Sequence, residues 1–399
     1  ASHHFTHTLS IAFPSDANAE AVAPAVFALR MAELPSYWKA ILAPSIVIKA
    51  GALDETQIAF WENLYTEGLG EFFYVNQIDF RGLVNIRSDL SAPRLAVSSR
   101  IGASALVPLG GGKDSLVTAE LLKKQGKDFT WFELETLIFG EKLRSISGNK
   151  KVVKIARNKE KNFAPIIELV KAGAPNGHVP ITASYIMSAV LAAEVHGFKD
   201  VILSLERSAS IGNTTYLGSE INHQYSKSFE FEGAARAYIR TYINSNISMF
   251  SLVRPFYEIQ IVQEFAAYPQ YFESFVSCNR GLKNATWCGA CAKCAFMFAA
   301  LSAFLEPARV VAIFKRNLFE DASLTQLYRD MAGLGDMKPF DCIGTFEENM
   351  LALYLSGEQY KKENLALPHV LRELPIQSGV QHLGLLTEYG PHAIPPDYA

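Results

Sequence analysis

Short apolar runs and amphipathic stretches alternate along most of this 399-residue chain. Both patterns occur in the first hundred residues, where we predict strands at 8–13 and 46–48, helices at 21–31 and 55–65, and a further extended run at 72–76. None of these segments carries a catalytic signature. Region 1–100 is therefore predicted to be a mixed α and β domain that packs against the rest of the chain or caps it.

From residue 101 onward the alternation becomes regular. The predicted strands are 104–109, 129–134, 152–156 and 201–205, and the predicted helices are 116–124, 163–171 and one from Thr182, as its N-cap, to Gly197. Strands separated by helices predict a parallel sheet, which binds ligands beyond the carboxyl ends of its strands. Asp114 and Ser115 follow one such end and residues 206–213 follow another, so we expect both to face one crevice.

The last part of the chain begins with four cysteines and continues with predicted helices at 295–305 and 347–355. Beyond Pro375, scattered Gly, Pro and His residues predict an irregular strap over another domain. The expected fold class is α/β in three parts. These are the N-terminal α+β domain 1–100, a parallel-sheet nucleotide-binding domain 101–270, and a Cys-rich C-terminal region 271–399.

Three consecutive glycines, Gly110 to Gly112, separate the predicted strand at 104–109 from the helix after it. Glycines let the backbone approach a ligand closely, and a helix N-terminus offers free N–H groups to an anion. A phosphate is the expected ligand, although a plain strand–turn–helix junction has the same pattern. The Walker pattern fails at Val107 and Asp114, and the dinucleotide pattern fails because Ser115 replaces its last glycine.

The segment is similar to S-G-G-x-D-S, the loop of the PP-loop ATP pyrophosphatases, with Gly110 in place of the first serine. That resemblance implies that the loop binds the pyrophosphate of ATP and leaves AMP on an oxygen of the substrate. Gly111 and Gly112 would present N–H groups, and Lys113 would neutralise charge. Asp114 would hold Mg²⁺, and Ser115 would bond a phosphate oxygen.

Four of the five cysteines, Cys278, Cys288, Cys291 and Cys294, lie close together in the chain. Their spacing suits tetrahedral zinc, and four protein ligands leave no open position, so the metal would be structural. Four buried free thiols are a weaker interpretation, and a redox pair lacks the strand–helix context of the thioredoxin type.

Composition excludes several classes of protein. A net charge of −3 argues against a basic nucleic-acid surface, and the longest apolar run, near 294–305, is too short to span a bilayer. No secretory signal is visible at the N-terminus, and the cysteine usage does not resemble a secreted disulfide framework. We expect a cytoplasmic protein with neither a nucleic-acid nor a membrane partner.

The glycine loop and the cysteine quartet together resemble enzymes of the 7-cyano-7-deazaguanine synthase type, although those begin with their phosphate loop and are shorter. A closer resemblance is to the UDP-N-acetyl-α-D-muramoyl-L-alanyl-L-glutamate epimerase family of peptidoglycan synthesis. The order of several stretches carries it, and it extends from about residue 30 to about residue 350. These stretches are 36–39, 68–72, 107–121, 225–232, 288–298 and 338–344.

This resemblance implies that the terminal L-Glu of UDP-MurNAc-L-Ala-L-Glu is activated with ATP and Mg²⁺ as an acyl adenylate. Its α-carbon would then be inverted, and hydrolysis would give D-Glu, AMP and diphosphate. A free carboxylate suppresses loss of the α-proton because the carbanion would add a second negative charge. A mixed anhydride removes that obstacle, and each pKa unit gained is worth about 1.4 kcal/mol.

Inversion requires groups that remove and return the α-proton. The candidates are Glu206, His223, Lys227, Glu230, Glu232 and Cys342. A cysteine of lowered pKa can take a proton from carbon, although Cys342 is equally well explained as a small buried residue beside Pro339 and Phe340.

We assign catalysis to Lys113, Asp114, Glu206, His223 and Cys342. Arg207, Lys227 and Arg254 are the predicted substrate-binding residues, because guanidinium groups bind carboxylates and diphosphates bidentately. An ordinary ion-pair role fits either arginine equally well.

Three classes of function stay open at this point: an ATP-dependent epimerase, a nucleobase- or tRNA-modifying PP-loop enzyme, and a non-catalytic nucleotide-binding module. The low net charge counts against tRNA. The presence of Lys113, Asp114 and Ser115 counts against a pure binder, which does not need a metal-holding carboxylate.

Overall fold

Ten short strands and fifteen α-helices are present in the computed structural model, which describes residues 3–15, 18–135, 137–335 and 337–399. The strands are β1 Leu9–Ile11, β2 Ile46–Ile48, β3 Ile86–Ser88, β4 Ala105–Pro108, β5 Phe129–Leu134, β6 Val152–Arg157, β7 Asp200–Leu203, β8 Thr214–Tyr216, β9 Ser219–Ile221 and β10 Ser248–Ser251. The helices are α1 Ala19–Glu33, α2 Pro35–Trp38, α3 Glu55–Gly68, α4 Gly70–Val75, α5 Lys113–Lys124, α6 Gly140–Ser147, α7 Lys159–Lys171, α8 Ile181–His196, α9 Phe229–Tyr238, α10 Glu258–Phe265, α11 Ala292–Ser302, α12 Pro307–Phe314, α13 Thr325–Met331, α14 Phe346–Lys362 and α15 His369–Glu373.

The central sheet has six strands in the order β1-β6-β5-β4-β7-β10. Only β1 is antiparallel to its neighbour, so the expected parallel sheet is confirmed. From β4 the chain first adds β5 and β6 on one side and later β7 and β10 on the other. In such sheets the connections diverge at the point of reversal and open a crevice beyond the carboxyl ends of the two strands. Here that point lies between β4 and β7.

Side chains on alternate faces of the strands enter two hydrophobic cores. On one face Val107 and Phe250 join the core that includes α5, α10, α11 and α14. On the other face Leu106 and Met249 join the core that includes α1, α3, α8 and α9. The sheet is thus covered on both faces, which explains why its strands read as short continuous apolar runs.

Two local predictions are wrong. Residues 72–76 do not extend a strand, because Phe72 and Phe73 are both fully buried on consecutive positions of the short helix α4. Thr182 is not an N-cap, because α8 already begins at Ile181, directly after Pro180. Proline has no N–H to satisfy and a backbone angle suited to a helix start.

The three-part division at residues 100 and 270 stays a prediction, although β1 from the first part pairs with β6 of the second. The tail contains the 3₁₀ helices Ile376–Leu386 and Pro396–Tyr398, and the Tyr398 hydroxyl lies 2.8 Å from Asp200 Oδ2 at the start of β7. In the described residues, none of the helices combines the length and the apolar character that a membrane crossing requires.

Candidate active site

The glycine loop lies at the crevice between β4 and β7. Gly111 has a φ of +82°, and a Cβ there would lie 2.4 Å from the Phe139 ring, so only glycine fits this position. Gly112 is the N-cap of α5. A Cβ on Gly110 would meet no atom within 4 Å, so the loop borders open space on this side.

That space is a cleft of about 350 Å³. Its lining comes from the loop, the carboxyl end of β7, the first turns of α8, and residues 276–279. Asp114, Lys227 and Lys293 supply its charged side chains, and Ser115 is one of several hydroxyl residues in its lining. The cleft thus joins Asp114 and Ser115, which follow β4, to residues 203–205 at the end of β7, whereas residues 206–213 are not part of its lining.

Lys113 does not extend freely into this cleft. Its side chain is 3% exposed, and its ammonium group forms ion pairs with Asp114 Oδ1, at 2.7 Å, and with Glu258 of α10. Burial by itself would lower the pKa of Lys113, but Asp114 and Glu258 raise it, so the ammonium form is retained. Oδ2 of Asp114 has no hydrogen-bond partner among the described residues, which leaves that oxygen for a cation.

Glu206 and Lys227 form a second pair beside the first. Glu206 is 2% exposed, and its Oε1 has no hydrogen-bond partner and lies 4.0 Å from Lys227 Nζ. Burial would raise the pKa of Glu206, but Lys227 and Lys113 lower it, so Glu206 is a carboxylate. A buried carboxylate oxygen without a donor is one that a ligand can satisfy.

Cys342 lies next to Lys227, with 3.3 Å between Nζ and Sγ, and next to His223, with 3.8 Å between Nε2 and Sγ. Burial alone would raise the pKa of the thiol. Lys227, Lys293 and His223 outweigh burial and lower that pKa to about 6. The positive groups around Cys342 thus favour its thiolate form.

Glu71, on the first turn of α4, lies behind His223. Its Oε2 is 2.8 Å from His223 Nδ1 and 3.3 Å from His178 Nδ1. Burial lowers the pKa of both imidazoles, but bonds to Cys342 and Glu71 raise that of His223 to about 9, whereas His178 falls to about 4. At neutral pH the pair is therefore one imidazolium and one neutral imidazole.

The two predicted substrate-binding arginines do not line the cleft. Arg254 is 1% exposed, and its guanidinium binds Glu232 and the backbone oxygens of Glu206 and Lys227. Arg254 therefore holds the backbone at Glu206 and Lys227 in place. Arg207 stacks on the Tyr257 ring at 4.2 Å, and its Nη1 is buried without a partner.

The four clustered cysteines converge in space. The described structure gives no disulfide there, and the sulfur atoms of neighbouring pairs lie 3.6 to 3.9 Å apart. A tetrahedron with zinc–sulfur bonds of about 2.3 Å requires sulfurs about 3.8 Å apart. Backbone N–H groups of Gly281 and Gly289 also donate to Cys278 and Cys294, at 3.2 and 3.3 Å. The quartet can therefore hold a metal ion.

Sequence reasoning did not assign Glu71, His178 or Glu258 to the site. Each is a single polar residue far from the glycine loop in sequence, and no spacing pattern connects it with the others. The only signal was indirect, because Glu71 lies in one of the stretches, 68–72, that carry the family resemblance.

Comparison with known protein families finds two matches that together cover most of the chain. A family model described as the MurL N-terminal domain matches residues 1–252, and another described as the MurL C-terminal domain matches residues 274–381. The chain belongs to the MurL family. The resemblance identified from the order of motifs is therefore confirmed.

Curated relatives of this MurL-family chain carry the name UDP-N-acetyl-alpha-D-muramoyl-L-alanyl-L-glutamate epimerase. The protein of Xanthomonas oryzae pv. oryzae is 35% identical over 95% of this chain and 86% of its own length. That of a Micromonospora species is 33% identical over 97% of this chain and 87% of its own length. The Salinispora tropica protein is 32% identical, with coverages of 87% and 76%.

Proposed function

We propose that this chain uses ATP to invert the terminal L-Glu of UDP-MurNAc-L-Ala-L-Glu, giving the D-Glu epimer, AMP and diphosphate. The observation that carries the proposal is the position of Lys227. It lines the same cleft as the glycine loop and contacts Cys342, which in turn contacts His223. Such a site places an anion-binding loop beside groups that can move a proton. The name of the relatives supplies the substrate.

In this proposal the fold is of the PP-loop type, and the loop binds the diphosphate part of ATP. Open space at Gly110 and the N-terminus of α5 favour an anion there. Asp114 would hold Mg²⁺ through its unpartnered oxygen, and the ion would neutralise phosphate charge. Lys113, paired with two carboxylates, would fix the orientation of Asp114.

The first step forms a mixed anhydride. An oxygen of the α-carboxylate of the substrate attacks the α-phosphorus of ATP, the bond to the β-phosphate bridge breaks, and diphosphate leaves. The carboxylate has then lost its negative charge, so the α-proton is more acidic, and each pKa unit is worth about 1.4 kcal/mol. Water cleaves the anhydride after inversion and releases AMP.

The second step moves the proton. The Cys342 thiolate accepts the α-proton, and water in the cleft returns a proton on the opposite face while the thiol releases its own proton through His223. Lys227, 3.3 Å from the sulfur, lies on the thiolate's side of the α-carbon and stabilises the thiolate. The Glu206 carboxylate forms an ion pair with Lys227, with 4.0 Å between Oε1 and Nζ. His223 stabilises the thiolate and exchanges the proton with it.

We further propose that the cysteine quartet holds a structural zinc ion. Helix α11 begins at Ala292, between Cys291 and Cys294, so a metal there would join the start of this buried helix to the loop that carries Cys278. The same loop region lines the cleft through Ser277 and Asn279. Zinc would thus stabilise one wall of the cleft.

One experiment tests the function against its rivals. The protein is incubated with ATP and Mg²⁺ and with the UDP-muramoyl dipeptide, a nucleobase precursor or tRNA in separate reactions, and nucleotide products are separated by chromatography. AMP only with the dipeptide supports the epimerase. AMP only with a nucleobase or tRNA would replace it with the modifying-enzyme alternative, and no AMP with any substrate would leave a nucleotide-binding module.

A further inference from the structure

Glu71 contacts neither the glycine loop nor Cys342. It contacts His223, whose imidazole ring contacts the cysteine. Its Oε2 is 2.8 Å from His223 Nδ1, and the other ring nitrogen of His223 is 3.8 Å from the Cys342 sulfur. The three residues come from α4, from the segment after β9, and from the segment before α14. A carboxylate, an imidazole and a thiol are thus aligned across three distant parts of the chain.

This order has a general chemical meaning. When a carboxylate accepts a hydrogen bond from one nitrogen of an imidazole, it fixes the ring orientation and favours the doubly protonated ring, so the second nitrogen can donate to a neighbour. A thiol next to such a ring is held as a thiolate. The 3.8 Å between Nε2 and Sγ is within the reach of a hydrogen bond to sulfur.

We propose that Glu71 is a positioning residue of the reacting centre: through its bond to His223 it directs Nε2 of that ring to Cys342 and maintains the sulfur as the proton-accepting thiolate. The proposal rests on the proposed function only for the identity of the reaction that the thiolate serves. The ionisation state of the sulfur is independent of that function and can be measured without any substrate.

Other charged groups also act on Cys342. Those that face it are Lys227 on the 3₁₀ helix Tyr225–Lys227, His223, Lys293 on α11, Asp341 and Lys338 on its own segment, and Glu206 beyond Lys227. Lys227 and Lys293 remain when Glu71 is removed. The loss of Glu71 should therefore raise the pKa of the thiol only in part, by roughly one unit.

His178 makes the proposal specific, because it shares the Glu71 oxygen at 3.3 Å but bonds no atom of Cys342. It competes with His223 for the carboxylate. Without His178, the Glu71 carboxylate bonds only His223, so the pKa of the Cys342 thiol should not rise. A general disturbance of the cluster would instead affect both variants in the same direction.

The substitution Glu71→Gln should not unfold the protein. Its helix α4 is anchored by Phe72 and Phe73, both fully buried, and by Asn76, whose side chain donates to the backbone oxygen of Asn176 at 3.0 Å. Glu71→Asp keeps the charge with a shorter reach and serves as the conservative variant.

The test is the pH dependence of alkylation of Cys342 by iodoacetamide in the substrate-free protein, followed on the Cys342 peptide by mass spectrometry. We expect the midpoint of alkylation near pH 6 in the wild type. The midpoint should rise by roughly one unit in Glu71→Gln and by less in Glu71→Asp. It should not rise in His178→Asn. Glu67→Gln, which removes a carboxylate near Glu220 and Glu230 instead, is the matched control and should not move the midpoint.

An unchanged midpoint in folded Glu71→Gln would overturn the proposal, and so would an equal rise in His178→Asn or Glu67→Gln. If Glu71→Gln does not fold, the Glu71→Asp midpoint decides, and it must lie above the wild-type value. Failure of the proposed function would look different, because AMP would then be absent while the alkylation midpoints still followed Glu71.

Discussion

The ammonium nitrogen of Lys227 lies 3.3 Å from the sulfur of Cys342, although 115 positions separate the two residues in the chain. Lys227 also lines the cleft beside the glycine loop. One side chain therefore links the cleft at the glycine loop to the thiolate. Charge on Lys227 stabilises the thiolate.

The pH profile should reveal this contact. The pKa of Cys342 is lowered to about 6, so the proton-accepting thiolate is present above that pH and is lost as the pH falls through it. We expect kcat/KM for epimerisation to decline about tenfold per unit below pH 6. In Lys227→Gln this decline should begin roughly one unit higher, because an opposite charge is lost.

Lys227→Arg is the matched control for charge. Arginine keeps the positive charge, so the decline should stay near pH 6. An acidic decline at the same pH in Lys227→Gln and the wild type would refute the electrostatic role.

Cys342→Ala should uncouple the two halves of the reaction. Activation of the carboxylate does not use the thiolate, so AMP should still form, through hydrolysis of an uninverted adenylate. Inversion should drop at least 10²-fold, the usual contribution of a positioned acid or base. Chromatography of AMP together with chiral analysis of glutamate checks both. D-Glu at the wild-type rate would remove Cys342 from the mechanism.

The glycine loop offers a matched pair of stability tests. Gly111→Ala places a Cβ 2.4 Å from the Phe139 ring at a φ of +82°, and it should destabilise the fold by about 1–3 kcal/mol. Gly110→Ala meets no atom within 4 Å and lacks a positive φ, so its stability should change far less. Urea unfolding of both variants gives the comparison. Equal losses would contradict the loop geometry.

The cysteine quartet should bind about one zinc ion per chain, as measured by elemental analysis. Cys291→Ser should lose the metal and lower the melting temperature, because the N-terminal end of α11 is then no longer tied to the loop around Cys278. Cys342→Ser is the control, since it removes a cysteine outside the quartet and should retain the metal. A metal-free wild type of full stability would argue against a structural ion.

Much of the fold was predictable because local sequence patterns specify it. The strand at 105–108, the glycine turn and the helix behind it follow one another in a single stretch, and the cysteine spacing is likewise local. The predicted strands at 46–48 and 129–134 coincide with β2 and β5. Where tertiary packing decides, prediction failed. The aromatic residues Phe72 and Phe73 favour a strand but are buried on a helix.

The site was predictable only in part, for the same reason. Glu206, His223, Lys227 and Cys342 were candidates because they are chemically capable, and the fold brings them into contact. Glu71 and His178 had no local pattern, since their role arises from one shared carboxylate oxygen. Arg254 was a plausible ligand for a carboxylate, but whether its partner is a substrate or Glu232 depends on burial, which the sequence does not give.

The most direct test of the central claim is a single reaction in D₂O with ATP, Mg²⁺ and UDP-MurNAc-L-Ala-L-Glu, in which AMP and the stereochemistry and deuterium content of the glutamate are measured together. We predict that AMP and D-Glu appear together, that D-Glu carries deuterium at its α-carbon, and that folded Asp114→Asn yields neither product. D-Glu formed without AMP, or AMP formed at the wild-type rate by Asp114→Asn, would contradict the account.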